Sequence, residues 1–322
     1  MSREIFPLVS VITTTFNKFQ YLYETLESIF MQDYPNIELI IGDDGSSVFP
    51  RQEIEQFIEA HRGNNISKVC ILHEDENHGT VWNCHNCRSM ASGVILMGIA
   101  SDDRFYDEKV ISDVVAYFQK TGAEIVTCKR EYVDAQTGKA ILVMPDRQYA
   151  GWIKRLPANK LFEKMGSIGF ISGSNTYYTR DFYDTFGGFD RLYKYIEDYP
   201  FFLKVLRNGV GIRFYDRISI KYRYGAGIST AANKNNQFRD DMYKDRIRYM
   251  EQEILPFMDN WPWWRKEQMK TRLRRFQIEK ASKDNNKLRI YMRLFFMSPV
   301  GTIAQLIYMG NYMLKIEAGK RG

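Results

Sequence analysis

Short apolar runs alternating with helical periodicities constrain this chain more than any other feature. Leu8-Val9-Ser10-Val11-Ile12 reads as a buried strand, and Leu22, Leu26, Ile29 and Phe30 mark one face of the helix that follows. Ile37 to Ile41 repeats the strand signal, and Ile54, Phe57 and Ile58 repeat the helical one. Val69 to Leu72 and Val94 to Ile99 give a third and a fourth strand. Asp107 is placed to cap a helix with Val110, Val114 and Phe118 on its core face, and Ile125-Val126 follows as a further strand. This alternation predicts an α/β fold with a doubly wound, mostly parallel mixed sheet. Ligands of such sheets bind beyond the carboxyl ends of the strands, which makes the residues just past each strand the candidates.

Farther along, residues 130–170 carry Pro145 and Pro157 and read as an irregular loop region on an acceptor side. A helix from Tyr199 to Arg207 stops at Asn208-Gly209, and Gly225 to Asn236 reads as a mobile stretch. Composition agrees with a folded core: 322 residues, 44% apolar and 26% charged, exclude disordered and collagen-like chains. Four cysteines are too few for a disulfide framework and point to a reduced, cytoplasmic setting. The apolar run after the first seven residues is too short for a signal peptide.

Acidic pairs occupy the positions that the sheet rule singles out. Asp43-Asp44 follow the second strand, Asp102-Asp103 the fourth, and Glu197-Asp198 directly precede the Tyr199 helix. Each pair alone is also what a turn or a helix cap looks like; the ordered set of three is the distinctive feature. Carboxylates converging on one crevice repel unless a cation or donor sits among them, and oxygen ligands suit Mg²⁺ or Mn²⁺. Cys84-His85-Asn86-Cys87, with His73 and His78 upstream, leaves two readings open: a zinc site, or thiols packed on a helix.

These segments resemble the inverting family 2 glycosyltransferases of the GT-A fold, of the type that builds bacterial envelope polysaccharides. The likeness rests on Val9 to Lys18, Glu38 to Ser46, Gly79 to Asn83 and Ala100 to Asp103, then Gly187-Gly188-Phe189-Asp190, Tyr195 to Asp198 and Tyr222 to Gly225. It covers about residues 7–230. The resemblance implies that Thr14, Phe16, Asn17, Asp44 and Asn83 hold the nucleotide, with Phe16 stacked where the family more often has Tyr. It implies Asp102 near the ribose, Asp103 on a Mn²⁺ or Mg²⁺ ion, Asp198 as general base with Glu197 beside it, and Gly188, Phe189 and Asp190 on the acceptor side. Arg223 and Lys221 are candidate diphosphate contacts from a closing loop. The implied activity is transfer of a hexosyl group from a nucleotide-sugar, UDP-linked by default, to a hydroxyl of a glycan or lipid-linked saccharide.

The remainder is a basic tail. Residues 261–322 hold 14 Lys/Arg against 4 Asp/Glu, leaving 31 basic and 35 acidic residues before them. We divide the chain into a domain over 1–240 and a helical, aromatic-rich appendage over 241–322. Trp261, Trp263 and Trp264 beside Arg265 and Lys266 have the composition of a membrane–water interface. Residues 294–314 carry no formal charge, which is long enough to span a bilayer, but Pro299, Gly301 and Gly310 favour an in-plane or re-entrant helix. Packing on the protein or on a second subunit is the competing reading. The tail predicts a peripheral protein on the cytoplasmic face of an anionic membrane. A nucleotidyltransferase is disfavoured because Thr13 to Asn17 lacks glycine, and nucleic-acid binding because it would leave the acidic crevice without a role.

Overall fold

A computed structural model describes residues 6–227, 236–281 and 287–321. β1 (Val9–Thr15), α1 (Leu22–Phe30), β2 (Ile37–Asp43), α2 (Arg51–His61), β3 (Ile66–His73), α3 (Thr80–Met90) and β4 (Ile95–Ala100) succeed one another as the sequence predicts. Their strands are parallel in the order β3-β2-β1-β4. All seven residues of β2 are buried, as befits a central strand covered on both faces. β5 (Arg104–Phe105) and α4 (Val110–Thr121) come next. The N-cap position of α4 falls at Lys109, which makes no side-chain cap, and not at Asp107; Asp107 Oδ1 accepts the Lys109 N–H at 3.0 Å and pairs with Arg217.

The stretch expected to be an irregular loop is ordered instead. β6 (Ile125–Asp134) and β7 (Ala140–Met144) form an antiparallel pair, followed by α5 (Arg147–Arg155) and α6 (Ala158–Ser167). The two prolines that suggested a loop mark helix entrances. Pro145 precedes the Asp146 cap, whose Oδ1 accepts the Tyr149 N–H at 2.9 Å, and Pro157 is itself the cap of α6. β8 (Thr176–Thr179), α7 (Arg180–Thr185), α8 (Asp198–Arg207) and β9 (Arg213–Tyr224) complete a nine-stranded mixed sheet, in which β9 runs parallel to β6 and β8 runs antiparallel to β4 and β6. Of the stretch read as mobile, 228–235 lies outside the described residues.

α9 (Asn236–Tyr249), α10 (Trp263–Ala281), α11 (Lys287–Met297) and α12 (Pro299–Arg321) follow. The division drawn at residue 240 falls inside α9, and packing crosses it. Tyr249, Met250, Trp261 and Phe276 belong to one apolar cluster with Phe162, Tyr199 and Phe202. Trp261, read from the sequence as an interfacial residue, is buried edge-on against Phe162 at 5.4 Å, and a Cβ on Gly166 would meet its ring at 2.6 Å. Some of the tail's positive charge also turns inward. Arg265 is buried, donating to Ser167 Oγ at 2.5 Å and pairing with Glu163 at 3.4 Å, while Arg272 donates to Tyr249 Oη at 3.1 Å. The uncharged stretch 294–314 is split between α11 and α12, and among the described residues no helix is long and apolar enough to cross a membrane. Trp261→Ala is therefore expected to destabilise the whole molecule by about 3–5 kcal/mol, read as a lower midpoint of denaturant unfolding. An unchanged midpoint would mean that the tail packs independently.

Candidate active site

The parallel register brings three strand ends together, with Thr14 opposite both Gly42 and Ala100. Loops 16–18, 43–47 and 101–103 consequently leave the sheet side by side. Asp43 shapes the second loop from within: it is buried, its Oδ1 accepts from Ser46 Oγ at 2.5 Å, and its Oδ2 accepts from the Ser46 N–H at 2.8 Å. Asn17, at φ 51°, ties the first loop to the second by donating its N–H to Ser46 Oγ at 2.7 Å and accepting the Ser47 N–H at 3.1 Å. Phe16 beside it is exposed, and the Thr14 hydroxyl lies 4.0 Å from Cys84 Sγ.

Asp44 is buried and fixes the turn entering α3. Its Oδ1 accepts the His78 N–H at 2.9 Å, and its Oδ2 accepts the Gly79 N–H at 2.8 Å and Asn77 Nδ2 at 3.0 Å. Burial pushes its pKa up against these donors. Asn83, assigned to the nucleotide by the resemblance, serves packing instead. It is buried, donating to the Gly42 carbonyl at 2.9 Å and accepting from Cys87 Sγ at 3.4 Å. Cys84 and Cys87 are buried free thiols, and among the described residues no group of three or more His, Cys, Asp or Glu is placed to hold a metal ion, so the zinc reading falls.

Asp103 is 1% exposed, and its Oδ1 accepts the Arg223 N–H at 2.9 Å. Its Oδ2 is buried without a hydrogen-bond partner in the structure. Burial first, and the neighbouring Asp102 second, push its carboxyl up to about 8; burial raises Asp102 as well. An orphaned carboxylate oxygen beside a second carboxylate suits a hard divalent cation that takes its remaining ligands from non-protein oxygens. Arg223 and Lys221, expected on a diphosphate, are engaged elsewhere. The Arg223 guanidinium donates to the Asp102 carbonyl at 3.0 Å and to Glu24 Oε2 at 2.7 Å, and lies 3.9 Å over the Tyr21 ring. Lys221 Nζ sits 5.1 Å over Tyr106. The cation at this mouth is Lys18, exposed and donating to the Ala226 carbonyl at 3.0 Å; its charge draws the Asp102 pKa down.

Glu197 and Asp198 stand at the N-terminus of α8, where Asp198 Oδ2 accepts the Gly173 N–H at 2.6 Å. Gly173 is required there, since a Cβ would lie 2.9 Å from Asp198 Cβ. Burial raises both acids, and burial plus the Asp198 charge carry Glu197 up to about 8. The loop before them is held by Asp245 of α9, whose carboxylate accepts N–H groups from Lys194, Tyr195 and Ile196 at 3.0, 2.7 and 3.2 Å.

Arg130 of β6 links the two acidic pairs. Its guanidinium donates to Ser172 Oγ at 2.7 Å and Ser174 Oγ at 2.9 Å and rests 4.5 Å over the Tyr222 ring. Its positive charge acts on Asp103 and on Asp198 alike, lowering both pKa values. Sequence reasoning missed Arg130, Gly173 and Asp245; the small polar run Ser172-Gly173-Ser174-Asn175 was the available signal. Of the acceptor-side residues, Gly188 (φ 62°) packs on the Tyr183 ring and Phe189 is buried beneath the Arg88 guanidinium at 4.5 Å, so both belong to the core. Asp190 alone is exposed, its Oδ1 accepting the Leu192 N–H at 2.9 Å.

The family model described as "Glycosyl transferase family 2" matches residues 10–187, more than half of the chain. An uncharacterized glycosyltransferase of Rickettsia prowazekii (strain Madrid E) is 27% identical over 238 residues, 73% of this chain and 70% of that protein. A putative colanic acid biosynthesis glycosyl transferase of Escherichia coli (strain K12) is 28% identical over 127 residues, 39% of this chain and 43% of its own. The crystal structure of S. aureus TarS in complex with UDP-GlcNAc superposes with a TM-score of 0.59 at 16% identity, covering 95% of this chain and 91% of the other. The sheet and its flanking helices are thus the GT-A fold.

The folded chain holds a proton on Glu197 that the unfolded chain has already released between about pH 4.5 and about 8, so this residue makes stability fall as pH rises through that window. Glu197→Gln is expected to melt higher than the parent at pH 8, by a few °C at about 2–4 °C per kcal/mol, and at the same temperature near pH 4.5. Thermal melts in chelator across this range check it; a gain independent of pH would contradict it.

Proposed function

We propose that this chain, which belongs to glycosyl transferase family 2, moves a sugar from a UDP-linked donor to a hydroxyl of a saccharide acceptor with inversion at the anomeric carbon. The observation that carries the reading is the setting of Arg130, which donates to Ser172 and Ser174 on either side of the Gly173 N–H that Asp198 accepts and lies over Tyr222, next to the Arg223 N–H that Asp103 accepts; this supports reading the two acidic pairs as one cleft. Phe16, Asn17 and Asp44 form the rim for the nucleoside, and Asp103 Oδ2 with Asp102 is where Mn²⁺ or Mg²⁺ would be held. A divalent cation there supplies charge neutralisation for the diphosphate as it departs.

The remaining chemistry belongs to side chains. Asp198, its Oδ2 fixed by the Gly173 N–H, accepts the proton of the acceptor hydroxyl. The acceptor oxygen bonds to the anomeric carbon while the bond from that carbon to the phosphate oxygen breaks, and the nucleoside diphosphate leaves with the electron pair. Glu197, raised further than an ordinary carboxyl, keeps its own proton and leaves the negative charge of the pair on Asp198. The colanic acid relative favours an envelope polysaccharide as the product.

The outer face of α11 and α12 supports a peripheral site on an anionic membrane, where a lipid-linked acceptor would be met. Leu288, Met292, Phe295, Ile303 and Ile307 are exposed there, Phe296 is 86% exposed, and Arg289 and Arg293 flank them.

Asp198→Asn is expected to lower turnover about 10²–10⁴-fold with donor affinity unchanged, measured by transfer assays beside calorimetric titration of the nucleotide-sugar; retained turnover would remove Asp198 from its role. Phe296→Asp with Ile307→Asp should abolish co-sedimentation of the full chain with phosphatidylglycerol vesicles and spare donor hydrolysis. Persisting co-sedimentation would place the contact elsewhere.

A further inference from the structure

β6 presents two consecutive cations, and they serve different places. Its register against β9 shifts on both sides of Lys129, an irregularity of the kind that re-aims side chains. Arg130 turns to the acidic cleft, whereas Lys129 lines a separate cavity of about 570 Å³ beside α5. Val143, Pro145, Ala150 and Gly151 contribute to its lining, and Arg147, Lys154 and Arg155 add positive charge.

The carboxylates of this cavity are already occupied. Asp216 pairs with Lys129 and, at 3.0 Å, with Lys154, and hydrogen bonds from these two lysines hold its pKa below the usual range. Asp146 caps α5. Arg147 and Arg155 are exposed and form no ion pair among the described residues. Arg155 lies back along the helix, its Nε donating to the Gly151 carbonyl at 3.2 Å, and a Cβ on Gly151 would come within 2.6 Å of its Nη2. A glycine inside a helix costs about 1 kcal/mol relative to alanine; here it makes room for a guanidinium at the cavity wall.

We propose that this cavity binds an anionic saccharide, its carboxylate or phosphate groups taken by Arg147 and Arg155. Guanidinium matches both oxyanions bidentately, which an ammonium does not. The two arginines stand at opposite ends of α5, about 12 Å apart along its axis at 1.5 Å per residue. An oligomer bearing repeated charges can engage both at once, with the gain in avidity that two linked contacts bring. The site also answers an electrostatic problem, because the carboxylate-lined cleft repels an anionic chain and this cavity, one residue away along β6, attracts it. The choice of a saccharide over other polyanions rests on the glycosyl-transfer reading; the charge and shape of the cavity do not.

Calorimetric titration of the full chain with short and long oligogalacturonates, with glycerol-phosphate oligomers and with neutral maltooligosaccharides tests this. Expected are binding of either acidic series, tighter with length and weakened by salt, no binding of the neutral series, and an affinity loss of about tenfold or more in Arg147→Ala/Arg155→Ala. Donor hydrolysis and the melting temperature of that variant should match the parent. Equal binding of the neutral series, parental affinity in the double variant, or a loss seen only with anionic lipid vesicles would overturn the proposal. The titration involves no turnover, so acidic-oligomer binding that depends on the two arginines supports the cavity even in a chain that hydrolyses no nucleotide-sugar.

Discussion

Two buried acidic pairs, each within the electrostatic reach of one guanidinium, that of Arg130, are the constraint around which this molecule is arranged. Isolated carboxylates pay heavily for leaving water, and Asp103 and Asp198, from distant parts of the sequence, both do so. Arg130 makes that tolerable only because its own position is over-determined: two serine hydroxyls accept from it and aromatic rings lie against its face. Those serines sit on either side of Gly173, whose N–H fixes Asp198. Arg130 and Asp198 are therefore positioned by the same short segment, Ser172 to Ser174.

The parallel half of the sheet was legible because its strands are continuous apolar runs separated by helices with clear periodicity, and parallel register then dictates where Asp44 and Asp103 emerge. Residues 130–170 were misread for a definite reason. Pro145 and Pro157 act at helix entrances, where a missing N–H costs nothing, yet proline in isolation signals a loop. Arg223 was misread for another. Beside a glycine turn it looks like an anion-binding residue, and only contacts distant in sequence, with Tyr21, Glu24 and Asp102, show its guanidinium to be already engaged. The three internal donors of Asp44 could not be inferred, since Asn77, His78 and Gly79 carry no pattern that announces where their N–H groups point.

Charge along the chain proves to be divided by burial as well as by position. The basic tail suggested a single electrostatic surface, yet Arg265 and Arg272 are drawn into the core against Glu163, Ser167 and Tyr249. What remains outside is sparser, with Lys270 and Lys280 on α10 and Arg289 and Arg293 beside apolar residues on α11. On the catalytic half, the lysine pair around Asp216 and the arginines of α5 form a second positive region that net charge alone conceals.

Asp245 gives the tail a stake in the chemistry. By gathering three consecutive N–H groups just ahead of Glu197, α9 sets the entry of α8 from outside the sheet. The C-terminal helices therefore cannot be exchanged between related enzymes as a free-standing cassette. A chimaera whose replacement tail lacks an acid at this place would inherit the sheet, with the segment that leads into Glu197 and Asp198 left without its anchor.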